Sequence, residues 1–275
     1  MSTAGVGGGA DNWLGLRGKV CVVTGAGSGI GAATAQALAA VGAHVALVDL
    51  NGDAAKRVAD GLREQGAMAI AVACDTSKEA AVKQAAAAVR SELGACSVLV
   101  NNAGLLRAGS LQSVSLDDWN FVLSVNLTGY LLCAREFGRD MLEAKHGSIV
   151  HIASIAGSNP QTGSGSYSAS KAGVRLLSKQ MAVEWGPSGV RSNAVCPGMI
   201  KTALSEKFYE QPGFEERRAA VTASRRVGVP VDIANAVVFL ASERADYVNG
   251  AELMVDGGLD NMVMDMVPRP GFNAT

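Results

Sequence analysis

The sequence predicts a doubly wound α/β fold, a parallel sheet of about seven strands with helices on both faces. Three observations predict it. Short Val- and Ile-rich runs alternate with longer amphipathic stretches along almost the whole chain. The early runs show no alternation of apolar with polar residues, and several of the longer stretches stop at a glycine. Strands that are apolar at every position are those covered by helices on both faces. Strand, helix and strand at this spacing call for parallel strands joined by right-handed crossovers.

Residues 20–23, 44–48, 68–73, 98–100, 148–152, 191–195 and 252–255 read as strands, bounded by Gly, Asn, Asp or Pro. Between them, residues 30–41, 54–65 and 78–93 read as helices stopped by Gly42, Gly66 and Gly94. Glycine at that place tolerates the left-handed turn that ends a helix. Residues 117–143 and 167–186 form the longest helical patterns, both with wide apolar faces. Residues 199–226 are less regular and richer in charge, as a cap over a binding site would be, and the arginine pairs within them read as a solvated face. No linker or repeat divides the chain, so one domain is predicted over 13–260, with a flexible segment at 1–12 and a tail at 261–275.

Composition narrows the function. Hydrophobic residues make up 48% of the 275 and charged residues 18%, ample for a buried core. Lys plus Arg (24) and Asp plus Glu (25) nearly cancel, without the basic excess of a nucleic-acid binder. No apolar run approaches the roughly 18 residues of a membrane span, and the N-terminus lacks a signal-peptide pattern. The five cysteines form no C-x-x-C pair, so neither a disulfide framework nor a metal site is indicated. Reduced, buried thiols in a cytoplasmic protein are expected.

Thr24-Gly25-Ala26-Gly27-Ser28-Gly29-Ile30-Gly31 follows the first strand and leads straight into a helix. Glycines there allow a tight turn and a close approach to a pyrophosphate, which the free N–H groups of the helix start would bind. Two registers fit: Gly27-x-Gly29-x-x-Ala32, the Rossmann-type fingerprint in its alanine form, and Gly25, Gly29 and Gly31 in a T-G-x-x-x-G-x-G spacing. Asp49 ends the second strand, 20 residues beyond Gly29. An acid there accepts hydrogen bonds from ribose hydroxyls and repels a 2′-phosphate. With Ser28 in the glycine loop and Leu50 after the acid, nothing basic awaits that phosphate, so NAD is favoured over NADP.

Further along stand Asn101-Asn102-Ala103-Gly104 after the fourth strand, Asn126 in a long helix, Ser154 after the fifth strand, Tyr167-Ser168-Ala169-Ser170-Lys171, and Pro197-Gly198 after the sixth. Together with the glycine loop, this set resembles the NAD-dependent branch of the short-chain dehydrogenase/reductase family, over roughly residues 16–258. The resemblance implies that Gly25, Gly29, Ile30 and Gly31 form the pyrophosphate loop and that Asp49 holds the adenosine ribose. Asp75, followed by Thr76, would bind the adenine amino group. Asn102, with Ala103 and Gly104, would lie beside the adenosine half. Pro197, Gly198, Ile200 and Thr202 would line the nicotinamide. Asn126, Ser154, Tyr167 and Lys171 would be the catalytic tetrad, with Lys171 also on the nicotinamide ribose and Asn126 anchoring a water on the proton path.

The chemistry can also be reasoned from the residues. Tyr167 and Lys171 lie four apart, one turn apart on one helix face. A free phenol, with a pKa of about 10, is a poor base near neutrality. A fixed ammonium together with an oxidised nicotinamide ring would lower that value. Tyr167 would then act as general acid/base on an alcohol or ketone oxygen, with Ser154 hydrogen-bonded to the same oxygen. A Tyr–Lys pair at this spacing is common on helix surfaces; its coincidence with the glycine loop and Asp49 gives it weight. His44, His146 and His151 read as structural.

The resemblance places Ala156, Gly157, Asn159, Gln161, Met199, Leu204 and Phe208 around the substrate, a largely apolar set with two amides. A small lipophilic secondary alcohol or ketone, alicyclic or aromatic, is expected. A 3-oxoacyl-thioester reductase uses the same tetrad, but Asp49 opposes its usual NADPH. A nucleotide-sensing scaffold is the non-enzymatic alternative, although Tyr167 and Lys171 are both present. The tail carries Met262, Met264 and Met266 beyond Val255-Asp256-Gly257-Gly258. It is expected to cover the substrate cleft of its own or a neighbouring subunit, since Met adapts to irregular apolar surfaces. A homo-oligomer, a tetramer rather than a dimer, is expected by the same resemblance.

Overall fold

A computed structural model of the chain describes residues 12–202, 205–269 and 271, with the backbone alone at 207 and 208. Seven strands, β1 (Val20–Thr24), β2 (His44–Asp49), β3 (Ala69–Ala73), β4 (Cys96–Asn101), β5 (Gly147–Ile152), β6 (Val190–Pro197) and β7 (Glu252–Val255), form one parallel sheet in the order β3-β2-β1-β4-β5-β6-β7. The order reverses between β1 and β4. A crevice therefore opens at the carboxyl ends of these two strands, the place where such sheets bind ligands.

The helices are α1 (Gly29–Ala40), α2 (Gly52–Glu64), α3 (Glu79–Glu92), α4 (Leu116–Leu123), α5 (Gly129–Ala144), α6 (Tyr167–Trp185), α7 (Glu206–Tyr209), α8 (Phe214–Ala220) and α9 (Pro230–Ala241). α1, α2 and α9 pack on one face of the sheet, and α3, α5 and α6 on the other. Successive strand residues supply the two layers in turn. Cys21 and Val23 join one core while Val20 and Val22 join the other, and Val45 and Leu47 oppose Ala46 and Val48. That double burial is why the strands carry no polar alternation. Gly42, Gly66 and Gly94 end their helices at φ +83°, +85° and +97°, as predicted.

Three features depart from the sequence reading. The long helix expected at 117–143 is interrupted by a π-helical turn, Ser124–Thr128, between α4 and α5. α9 is a further crossover helix that the periodicity did not reveal. It is apolar almost all round, so no polar face marks its period, and its start rests on Pro230 and on Asp232, whose carboxylate accepts the Val229 N–H. Of the arginines expected on a solvated face, Arg217, Arg225 and Arg226 are exposed, but Arg218 is half-buried, its guanidinium over the rings of Tyr209 and Phe214.

Candidate active site

The crevice begins where β1 ends. Thr24 is buried, and its hydroxyl accepts the N–H groups of Asn102 and Ala103, each at 3.0 Å. In return the Asn102 side-chain amide donates to the carbonyls of Thr24 (2.9 Å) and Gly25 (3.1 Å). The loops after β1 and β4 are thereby stitched together across the point where the strand order reverses. Gly25 has φ +64°, and a Cβ on Gly31 would stand 2.1 Å from the Gly25 carbonyl oxygen. Close packing falls on Gly25, Gly27 and Gly31, while Ala32 is half-buried. No side chain caps α1 and no acid stands in its first turn, so the N–H groups after exposed Ser28 face the crevice. Ile30 is half-buried there.

Asp49 turns toward this loop. One carboxylate oxygen accepts the Gly27 N–H and the other the Asn51 N–H, both at 2.8 Å. Leu50 beside it stands in solvent. Asp75 is half-buried and accepts the N–H and hydroxyl of Ser77 through one oxygen. Thr76 does not face the crevice as expected; it is buried against Gly129 at the start of α5 and packs there. On the opposite wall, Pro197 is buried, Gly198 donates to the Val255 carbonyl, and Ile200 bridges to Gly228. Thr202 reaches toward Gly29, whose added Cβ would lie 3.5 Å from it. A cavity of about 500 Å³ bounded by Gly29, Ala32, Gln36, Thr202, Glu206 and Pro230 adjoins the crevice on the α1 side.

The four expected catalytic residues converge on the same end of the sheet. Tyr167 opens α6, half-buried, with Lys171 one turn on and almost fully buried. The Lys171 ammonium donates to the Ile152 carbonyl at 2.7 Å and lies 5.8 Å from the centre of the Tyr167 ring. Ser154 follows β5, and its hydroxyl accepts the Ala156 N–H at 3.1 Å. A Cβ on Gly104 would stand 3.3 Å from Asn126 Oδ1 and 3.5 Å from Lys171 Nζ, so the loop after β4 abuts the tetrad. Asn126 sits in the π-helical turn, fully buried. Its Oδ1 accepts the Leu105 N–H, and its Nδ2 donates to the Leu105 carbonyl and to the Ser170 hydroxyl. Both amide protons are spent on the protein, so the side chain braces the loop after β4, and any water it anchors has only the second lone pair of Oδ1.

Burial pushes the Tyr167 phenol up, and its hydrogen bond with the Ser154 hydroxyl works against that rise. Burial also lowers Lys171 to about 7, because a charged amine without a carboxylate partner loses its hydration. The pair alone therefore does not make a phenolate near neutrality.

The substrate side is partly described. Asn159 donates to Asp260, whose own N–H binds Asp256 at 2.7 Å, so the loop after Ser154 is tied to the segment after β7. Gln161 is exposed and Met199 half-buried. Ala156 is buried and sets the Ser154 hydroxyl rather than lining open space, a correction to its expected role. Leu204 and the Phe208 side chain lie outside the described residues, as do residues 1–11 and 270 and 272–275 of the terminal segments. Of the tail methionines, Met262 is half-buried, while Met264 and Met266 are 59% and 56% exposed. Sequence reasoning missed Asp260, Tyr130 and His151. The last two form a buried group behind Lys171, where Tyr130 of α5 stacks on His151 of β5 and Asn101 of β4 reaches both. Among the described residues no group of three or more His, Cys, Asp or Glu side chains is placed to hold a metal ion.

A doubly wound sheet with a glycine crevice and a Ser–Tyr–Lys constellation defines a class, and comparison with known proteins agrees. Residues 25–260 match the family model described as enoyl-(acyl carrier protein) reductase. The chain is 42% identical over 243 residues to D-threitol dehydrogenase of Mycolicibacterium smegmatis, covering 88% of this chain and 93% of that one. It is 38% identical over 242 residues to meso-2,3-butanediol dehydrogenase of Serratia marcescens, covering 87% and 94%. A gluconate 5-dehydrogenase from Burkholderia cenocepacia, solved in complex with NADP and tartrate, superposes with a TM-score of 0.86 at 34% identity, covering 90% of this chain and 97% of that one. The chain belongs to the short-chain dehydrogenase/reductase family.

Proposed function

We propose that the protein is an NAD-dependent dehydrogenase interconverting a secondary alcohol and a ketone, with Tyr167 as general acid/base. The single observation that carries this reading is the juxtaposition of Tyr167, Lys171 and Ser154 with a glycine cradle whose α1 N–H groups no side chain caps. The cradle fits a nicotinamide dinucleotide: Gly29 leaves room beside its backbone, Gly31 lets the loop pack closely on Gly25, Asp49 stands at the end of β2 beside Gly27, and Lys171 is a buried amine with no carboxylate partner among the described residues. When bound, the cofactor supplies the hydride acceptor or donor and, oxidised, a positive ring. Ser154 orients the substrate oxygen, Tyr167 takes or gives its proton, and the Lys171 ammonium favours the phenolate. Asn102 and Asn126 hold the loops that frame these groups.

NAD over NADP rests on Asp49, whose carboxylate opposes a 2′-phosphate, although two structural neighbours were solved with NADP. For the substrate, Asn159 and Asp260 place polar groups beside the loop after Ser154. Two relatives are named for threitol and butanediol. A small secondary alcohol bearing a second hydroxyl therefore suits this cleft better than a purely lipophilic one. No described helix is long and apolar enough to cross a membrane, and all five cysteines are free and buried; we place the protein in the cytoplasm. Exposed Leu131 on α5 and Leu176 and Val183 on α6 offer an apolar face for assembly into a homo-oligomer, with a tetramer favoured. The test is a panel of vicinal diols, polyols and simple secondary alcohols assayed with NAD and NADP. Turnover of diols with NAD supports the reading; tight NAD binding without turnover of any alcohol would replace it with a nucleotide sensor.

A further inference from the structure

The proposed chemistry needs the Lys171 ammonium held beside Tyr167, yet Lys171 has no carboxylate partner among the described residues. Its neighbours are otherwise neutral. Tyr167 faces it from α6, Tyr130 from α5, His151 from β5 and Cys196 from β6, with Asn126 close by across Gly104. Two of these groups make a defined structure that no catalytic assignment uses.

We propose that Tyr130 is a positioning residue for Lys171: its hydroxyl closes a triangle with the Lys171 ammonium and the Ile152 carbonyl, and so fixes the cation at the inner wall of the site. This inference rests on the dehydrogenase reading and deepens it. Tyr130 is 1% exposed. Its hydroxyl donates its one proton to the Ile152 carbonyl at 3.0 Å, which leaves its oxygen lone pairs to accept from Lys171 Nζ at 3.3 Å. Lys171 gives a second N–H to the same carbonyl, so one ammonium proton is left for the crevice.

The ring of Tyr130 is itself held. It stacks on His151 with centroids 5.8 Å apart and 21° between planes. The Asn101 side chain lies 3.3 Å from His151 Nδ1 and also donates to the Tyr130 backbone carbonyl at 3.0 Å. Burial, together with Lys171, takes His151 down to about 3, so the imidazole adds no second positive charge behind the ammonium. Burial drives the Tyr130 phenol well above its ordinary value and Cys196 up to about 11, so neither becomes a counter-ion. Fixed dipoles from Tyr130 and Ile152, rather than a carboxylate, are what support the charge on Lys171.

The test is Tyr130→Phe, which keeps the ring and its stack and removes the acceptor, with Tyr130→Met as the second variant should the first fail to fold. Lysine labelled with carbon-13 at Cε reports the charge on Lys171 by NMR in the cofactor-free protein, the signal being assigned by its loss in Lys171→Met. Losing one hydrogen bond to the charged form should lower the Lys171 midpoint by about one pH unit. The alkaline limb of kcat/KM, which falls as Lys171 loses its proton, should move to lower pH with it. A merely structural role would lower kcat at every pH and leave both midpoints in place, and that result overturns the proposal. The titration needs no substrate: a protein that oxidises no alcohol defeats the dehydrogenase reading, while an unmoved Lys171 midpoint defeats Tyr130 alone.

Discussion

Replacing Lys171 with methionine keeps most of the side-chain volume and removes a buried charge, so the cofactor-free protein is expected to gain stability as it loses activity. Burial takes Lys171 from its ordinary 10.5 to about 7. At about 1.4 kcal/mol per pH unit, keeping it charged in the fold costs roughly 4–5 kcal/mol. Methionine cannot donate to the Ile152 carbonyl or to the Tyr130 hydroxyl, and the loss of those bonds offsets roughly 1–3 kcal/mol of the gain. A net stabilisation of roughly 1–4 kcal/mol follows at low pH. The sign with pH is fixed by linkage. Between about 7 and 10.5 the unfolded chain holds a proton on this lysine that the native state does not, so wild-type stability rises with pH across that window. The advantage of the variant should be full below about pH 7 and should turn, above 10.5, into a deficit of roughly 1–3 kcal/mol from the lost hydrogen bonds. Urea unfolding of both proteins at a series of pH values measures it. A variant no more stable than the wild type on the acid side, or a gap that does not change with pH, would refute the reasoning.

Further outcomes follow from other parts of the site. Asp49→Asn should raise NADP affinity relative to NAD by about tenfold or more, since removing a charge about 4 Å from a phosphate relieves roughly 1–4 kcal/mol; calorimetric titration of both cofactors checks it, and an unchanged ratio counts against Asp49. Gly31→Ala puts a Cβ 2.1 Å from the Gly25 carbonyl oxygen and 2.5 Å from Asn102 Nδ2. Displacing that loop should cost about 2–3 kcal/mol in denaturant unfolding and weaken dinucleotide binding, whereas wild-type values would mean the loop is not close-packed. Asn126→Ala strands the Leu105 N–H and carbonyl, and should cost about 1–3 kcal/mol and loosen residues 102–110 in hydrogen exchange. Protection equal to the wild type would show that Asn126 does not brace that loop.

Much of the fold was legible because each strand feeds two cores. Continuous apolar runs such as Val20–Thr24 mark doubly covered strands, and glycines at 42, 66 and 94 punctuate the helices that cover them. The tetrad and the glycine loop were legible because their spacing is fixed by one helix turn and one tight bend. α9 escaped because a helix that is apolar nearly all round has no periodic face to read. The group behind Lys171 escaped for another reason. Tyr130 looks like an ordinary core aromatic on a long helix and His151 like a buried strand residue, and only the packing of α5 and α6 on the sheet brings them to one lysine. The burial of Tyr167 and Lys171 was not legible, because spacing reveals a neighbouring ammonium but not the packing around it.

The most direct measurement compares wild type and Tyr167→Phe for diol-dependent reduction of NAD, with NAD affinity measured in parallel. A general acid/base contributes roughly 10²–10⁴-fold, so kcat should fall by at least about a hundredfold in the variant while NAD still binds. Oxidation of the diol at near wild-type rate without the Tyr167 hydroxyl would contradict the assignment of proton transfer to this residue.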